Sequence, residues 1–396
     1  MKKKIFLLVI LINFLFPAIL LAQTVRGVTD TEVTIGVSIP MSGPAAVYKN
    51  LGSGAKAWAE HINAQGGIHG RKIKILMKDD GFNPTRTLGN FQEFKDKVFA
   101  ISLLMGTPAA SITKNFFAEN KIPLIMPYSS IIPWTELPKD KIRYVFTAYP
   151  DYEDMGFFIA QYAIKALGSK KLTIFYQNDD FGKPGLAGTQ KAVQQSAGKT
   201  VLVPPVSYEV TERALSAQAL KLKESGADTV ILFAIPLPAS LLVKEMAKIN
   251  YRPKVMAVFQ LCDPVMFKLV GQPWEGTYAA YMGNSGVPGS SPEVDRVVDI
   301  ILKYEPDVKG NEVSGINGAV AIMHLAQGLR NAGRNLTTES FIKGMEMIKD
   351  WQPEGIGAPV TYGPDRHHGN NALRMSQAKN GKYHTLTDWT HFKSFF

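Results

Sequence analysis

Residues 33–80 read VTIGVSIPMSGPAAVYKNLGSGAKAWAEHINAQGGIHGRKIKILMKDD. Val33 to Ile39 is a short apolar, β-branched run, which predicts a buried strand. Gly52 to Ala64 carries apolar residues at helical spacing, and Gly66-Gly67 suits the left-handed stop that ends many helices. Lys72 to Lys78 predicts the next strand, closed by a turn at Asp79-Asp80. Strand, helix and strand in that order are the unit of an α/β fold with parallel sheets.

The alternation continues toward the C-terminus. Pro84 to Asp96 reads as a helix, Val98 to Leu104 as a strand, Ala110 to Glu119 as a helix and Pro123 to Met126 as a strand. After Tyr149-Pro150 a second series opens with a helix over Asp151 to Leu167. Strands at Lys171 to Tyr176, Val201 to Tyr208, Thr229 to Phe233 and Val255 to Val258 alternate with helices at Phe181 to Ala197, Leu215 to Ser225 and Ala239 to Asn250. The remainder is mixed. Gly276 to Tyr281 is strand-like, while Pro292 to Tyr304, Glu312 to Gly328 and Ser340 to Ile348 look helical. Asn380-Gly381, between Leu373 to Lys379 and Lys382 to Leu386, is a two-residue hairpin signal. A chain of 396 residues exceeds what one hydrophobic core usually organises, so two domains are expected.

Toward the N-terminus, Lys2 to Lys4, the apolar Ile5 to Phe16, the break at Pro17 and the small Ala22 have the form of a cleavable signal peptide. The apolar stretch is short of the roughly 20 residues a spanning helix needs. No cysteine follows Ala22, so no lipid anchor is expected. The formal charge of +10 draws three lysines from this leader, and the other basic residues are scattered. Nucleic-acid binding would want a basic stripe or a known module, and neither is present. Cys262 is the single cysteine; it cannot form an internal disulfide and reads as a buried, inert thiol.

Several motifs occur in a fixed order: Val33-Thr34-Ile35-Gly36-Val37, Met41-Ser42-Gly43-Pro44, Asn63-Ala64-Gln65-Gly66-Gly67-Ile68-His69-Gly70-Arg71, Gly106-Thr107-Pro108, Pro123-Leu124-Ile125 and Gln177-Asn178-Asp179-Asp180-Phe181-Gly182. From about residue 32 onward the chain resembles the type I periplasmic solute-binding proteins of ABC importers, in the leucine/isoleucine/valine-binding group. The resemblance implies two doubly wound, Rossmann-like α/β lobes joined by a three-crossing hinge, with a ligand in the cleft between them. It implies lobe 1 over 23–147, lobe 2 over 148–275, a return to lobe 1 over 276–355 and a return to lobe 2 over 356–396. The implied role is non-enzymatic and cofactor-free: a periplasmic monomer that binds a small amino acid or organic acid and closes on it. Its implied partner is the membrane permease of the importer.

Site residues follow from the same resemblance. Tyr48 stands where an aromatic wall packs on the ligand. Gly106 and Thr107, between a strand and its helix, suit a ligand carboxylate through backbone N–H groups and a hydroxyl. Ser129 and Ser130 match the second carboxylate-contacting loop, and Tyr152 and Phe181 are expected to close over the apolar part. One departure concerns the glutamate that amino-acid binders place after the strand matching Val255 to Val258, where it pairs with the ligand's ammonium. This chain reads Val258-Phe259-Gln260-Leu261 there, with Gln260 expected at the ligand and no acid before Asp263. A buried ammonium without an opposite charge is costly. Either Asp263 or another acid substitutes, or the ligand is an aromatic or aliphatic acid rather than an α-amino acid.

Other signals point elsewhere. Gly52-Ser53-Gly54-Ala55-Lys56-Ala57 matches a loose dinucleotide pattern, but the loop from Pro40 to Leu51 separates it from the first strand; close helix packing is the expected use. His367-His368 are adjacent, so on a strand they face opposite ways and do not share a metal ion. Rival functions on the same residues are a ligand sensor of the same fold and a secreted hydrolase, for which no nucleophile motif is found.

Overall fold

In the computed structural model, which describes residues 25–283 and 285–396, β1 (Glu32–Ile39) and β2 (Lys72–Asp79) pair in parallel, Glu32 opposite Lys72 and Ile39 opposite Asp79. The helix Lys49–Ala64 crosses between them, beginning three residues earlier than the apolar spacing predicts. The expected signal peptide lies outside the described residues. β3 (Ala100–Leu104), β4 (Leu124–Ile125) and β5 (Val145–Phe146) extend the other edge, giving a parallel sheet of order β2-β1-β3-β4-β5.

A second sheet repeats this winding. β6 (Lys171–Gln177) has β7 (Val201–Leu202) and β8 (Val206–Tyr208) on one side. On its other side lie β9 (Thr229–Phe233), β10 (Lys254–Ala257) and β11 (Tyr278–Met282), all parallel. The single strand expected over 201–208 is two, because Pro204 and Pro205 lack the N–H that a ladder needs. β12 (Ala372–Lys379), β13 (Lys382–Thr385) and β14 (Thr390–His391) then close the edge in antiparallel fashion. Lys379 faces Lys382, and both Asn380 and Gly381 sit at positive φ, the geometry of a type I′ hairpin turn.

The chain passes between the lobes three times. It leaves the first after β5 and enters the second at the helix Tyr152–Lys165. After β11 it returns to the helices Pro292–Tyr304 and Glu312–Ala332, which pack on Lys49–Ala64. After the helix Thr338–Glu346 it goes back to β12. The second crossing therefore follows Met282 and not residue 276, because Tyr278 and Ala279 pair with Met256 and Ala257 as the outer parallel strand of the second sheet. The first and third crossings are joined: Thr147 N–H donates to His367 O, Gly369 N–H donates to Thr147 O, and a ring nitrogen of His368 lies 2.9 Å from Tyr149 O.

Glycines set the first lobe's helix packing. A Cβ on Gly54 would lie 1.8 Å from the Gly315 carbonyl oxygen, and one on Gly318 would lie 1.8 Å from that of Leu51. The small residues of 52–57 thus let two helix backbones touch.

Candidate ligand-binding site

In an open parallel sheet a crevice forms at the carboxyl ends of the strands, where the strand order reverses. Here the first sheet reverses between β1 and β3 and the second between β6 and β9. β3 runs into Met105-Gly106-Thr107-Pro108, β6 ends at Gln177 ahead of Phe181, and β9 leads to Ile235. These segments meet one another, with Tyr128, Tyr152 and Gln260 between them, around a cavity of about 20 Å³. That is the room of a single water molecule. The lobes are closed on each other, and anything larger enters only when they part.

Gly106 sits at φ +98°, and a Cβ there would come within 3.0 Å of the Phe82 ring. Thr107 opens the helix Thr107–Thr113, and its Oγ1 accepts the Ser130 N–H at 3.1 Å. Ser130 Oγ accepts from Ile132 N–H at 3.2 Å, and Ser129 Oγ donates to Ser130 O at 3.1 Å. Both serine hydroxyls turn to their own loop and neither borders the cavity; Ser130 braces Thr107 instead.

Across the cleft, Asp151 caps the helix that begins at Tyr152, accepting the Asp154 N–H at 2.9 Å. The Tyr152 hydroxyl lies 3.1 Å from that of Tyr149, and Gln260 Nε2 lies 3.4 Å from both. Tyr152 meets Phe181 edge-on at 4.9 Å between ring centres, and Phe181 lies 4.9 Å from Phe233, spacings at which aromatic rings attract. Tyr128 meets Tyr149 at 4.7 Å. Tyr48 ends a short 3₁₀ turn, is buried, and has a hydroxyl without a partner; it does not border the cavity. Burial pushes the phenols of Tyr48, Tyr128 and Tyr149 well above their ordinary range, so all three remain neutral.

Asp263 is committed elsewhere. One carboxylate oxygen accepts the Val265 N–H at 2.9 Å, and the other accepts the Ser314 N–H at 2.9 Å and its hydroxyl at 3.1 Å. Burial raises its carboxyl to about 7, against the pull of those bonds. Asp263 lies outside the cavity wall, which carries no carboxylate and no basic side chain. Asp79 is likewise structural: burial works against it, yet bonds from Ser42, Met41 and Gly81 hold it at about 2. Cys262 is buried and its thiol is pushed up to about 12 by burial. His367 contacts Glu346 and His368 contacts Tyr149, so the two rings face different partners.

Sequence reasoning missed Tyr128, Tyr149, Gln177 and Asn317. Asn317 Nδ2 donates to the Tyr128 hydroxyl at 2.6 Å, and a lone buried amide in the apolar run Ile316 to Ile322 was the signal for it. Among the described residues no helix is long and apolar enough to cross a membrane.

The model of the family described as periplasmic binding protein matches residues 32–382. A Leu/Ile/Val-binding protein homolog 1 from Brucella suis is 25% identical over 328 residues, covering 81% of this chain and 85% of its own. A Thermus thermophilus branched-chain amino acid ABC transporter structure with bound valine has a TM-score of 0.82 at 19% identity, covering 93% of this chain and 98% of that one. A fatty acid ABC transporter substrate-binding protein from Thermomonospora curvata has a TM-score of 0.81 at 20% identity, covering 94% and 95%. These two likenesses establish a shared fold. With the matched family model spanning both lobes, the chain belongs to the periplasmic binding proteins and has their type I fold.

Proposed function

We propose that the protein is the extracytoplasmic substrate-binding component of an ABC importer, and that a small, partly apolar carboxylic acid is held between its lobes. The observation that carries this reading is the cavity at the meeting of the two switch points, walled by aromatic rings and neutral polar groups. Thr107, at a helix start, and Gly106 hold the acid end, with Ser129 and Ser130 backing them. Tyr152 and Phe181 cover the apolar part, Gln260 reaches its polar substituent, and Tyr48 is buried behind them without touching the cavity. The lobes, near 23–147 and 148–282 with their later returns, close on the ligand, and the closed face docks on the permease. No bond in the ligand is broken.

A thermal-shift screen of partly unfolded and dialysed protein tests this, with amino acids, aromatic acids and aliphatic acids as the panel. A ligand at 100 times its Kd adds about 2.7 kcal/mol of stability. Small-angle scattering of the same samples reports the accompanying contraction. Stabilisation by no member of the three classes refutes the reading.

A further inference from the structure

Two amide side chains in the closed cleft are half satisfied, and in the same sense. Gln260 borders the cavity and is 7% exposed. Its Nε2 lies 3.4 Å from the hydroxyls of Tyr149 and Tyr152, and its Oε1 is buried with no partner. Asn317 is 6% exposed; its Nδ2 donates to Tyr128, whose ring borders the same cavity, and its Oδ1 is also buried without a partner. A buried carbonyl oxygen left without a donor is unfavourable, and a donor arriving with the ligand removes the penalty. The wall holds no carboxylate, and Asp263, outside it, already accepts three hydrogen bonds from Ser314 and Val265. An ammonium would therefore lose its water without gaining an opposite charge, whereas a neutral donor meets what the site lacks.

We infer that Gln260 selects a carboxylic acid bearing a hydroxyl or amide N–H at the place where an amino acid bears its ammonium. This rests on the acid-binding reading above and names the ligand class within it. Gln260 acts as a specificity-determining residue: Oε1 accepts from the ligand while the tyrosine pair holds the rest of the amide still.

Calorimetric titration with matched probes tests it. One series is 3-phenyllactate, phenylalanine and 3-phenylpropanoate; the other is 2-hydroxy-4-methylpentanoate, leucine and 4-methylpentanoate. In whichever series binds, the hydroxy acid is expected at least about tenfold tighter than either companion. Gln260→Glu is expected to shift the hydroxy-to-amino preference by about tenfold or more toward the amino acid. Where that variant does not fold, Gln260→Leu serves, and is expected to bring the hydroxy acid to the level of the unsubstituted acid. Wild-type protein that binds the amino acid as tightly as the hydroxy acid overturns this inference and leaves the importer reading standing. So does a hydroxy acid no tighter than its unsubstituted companion, or a preference that neither variant moves. Binding by no member of either series overturns both.

Discussion

Asp263 offers a way to weaken closure while leaving the fold intact. It lies just past β10 in the second lobe, and Ser314 lies in the first turn of Glu312–Ala332, which packs in the first. In Asp263→Asn, Oδ1 still accepts the Val265 N–H, while Nδ2 replaces the oxygen that receives Ser314. The Ser314 hydroxyl can turn to accept from Nδ2, but the Ser314 N–H loses its acceptor. At pH 8 the native carboxyl is ionised, and one hydrogen bond to a charged group is worth about 1.5 kcal/mol. Because that bond joins the lobes, its loss falls on the closed form and weakens ligand binding about tenfold. The unliganded Tm is expected to move by no more than about 2 °C. Calorimetric Kd and Tm on the same preparations separate the two effects. A Kd within about twofold of wild type, with a Tm lower by more than about 4 °C, would mean that Asp263 holds the fold and not the closure.

Burial raises the Asp263 carboxyl to about 7, above its unfolded value, so its proton stabilises the folded, liganded protein at low pH and that contribution is lost as pH rises through 7. The Tm advantage of liganded wild type over Asp263→Asn is therefore expected to grow as the buffer goes from pH 8 to pH 5; a constant difference refutes the assignment. Gly54→Ala drives a Cβ into the Gly315 carbonyl and is expected to cost about 3 kcal/mol in denaturant unfolding. Gly89→Ala, in the helix Pro84–Phe94 with open space around it, is expected to add about 0.5–1 kcal/mol; equal effects at the two sites would dismiss the close-packing account. Cys262, buried and with its thiol pushed up to about 12, is expected to resist a thiol reagent until denaturant is added. Prompt native labelling would show that the lobe opens there.

The fold was readable because its signals are local. The glycine pair after Ala64, the Pro292 start and the Asn380-Gly381 turn each act within a few residues, and all three elements appear where those residues put them. The boundary at 276 was not local: whether Tyr278–Met282 ends one lobe or begins another depends on which strand it pairs with. The site divides the same way. Gly106-Thr107 and Phe181 follow strand ends, were expected from the family resemblance, and line the cavity. Ser129 and Ser130 lie next to it in sequence terms, but their backbone neighbours take their hydroxyls. Asn317 lies 189 residues along the chain from Tyr128, so only the folded arrangement brings the two together.

The joined first and third crossings constrain how the molecule moves. Two strands held edge to edge at Thr147, His367 and Gly369 form a narrow ribbon. Such a ribbon bends more easily across its thin direction than within its plane, which favours a single hinge axis over a free swivel. Tyr149 belongs to both parts, its carbonyl in the ribbon beside His368 and its hydroxyl against Tyr152 and Gln260. One residue thus ties the joined crossings to the two side chains that wall the cavity.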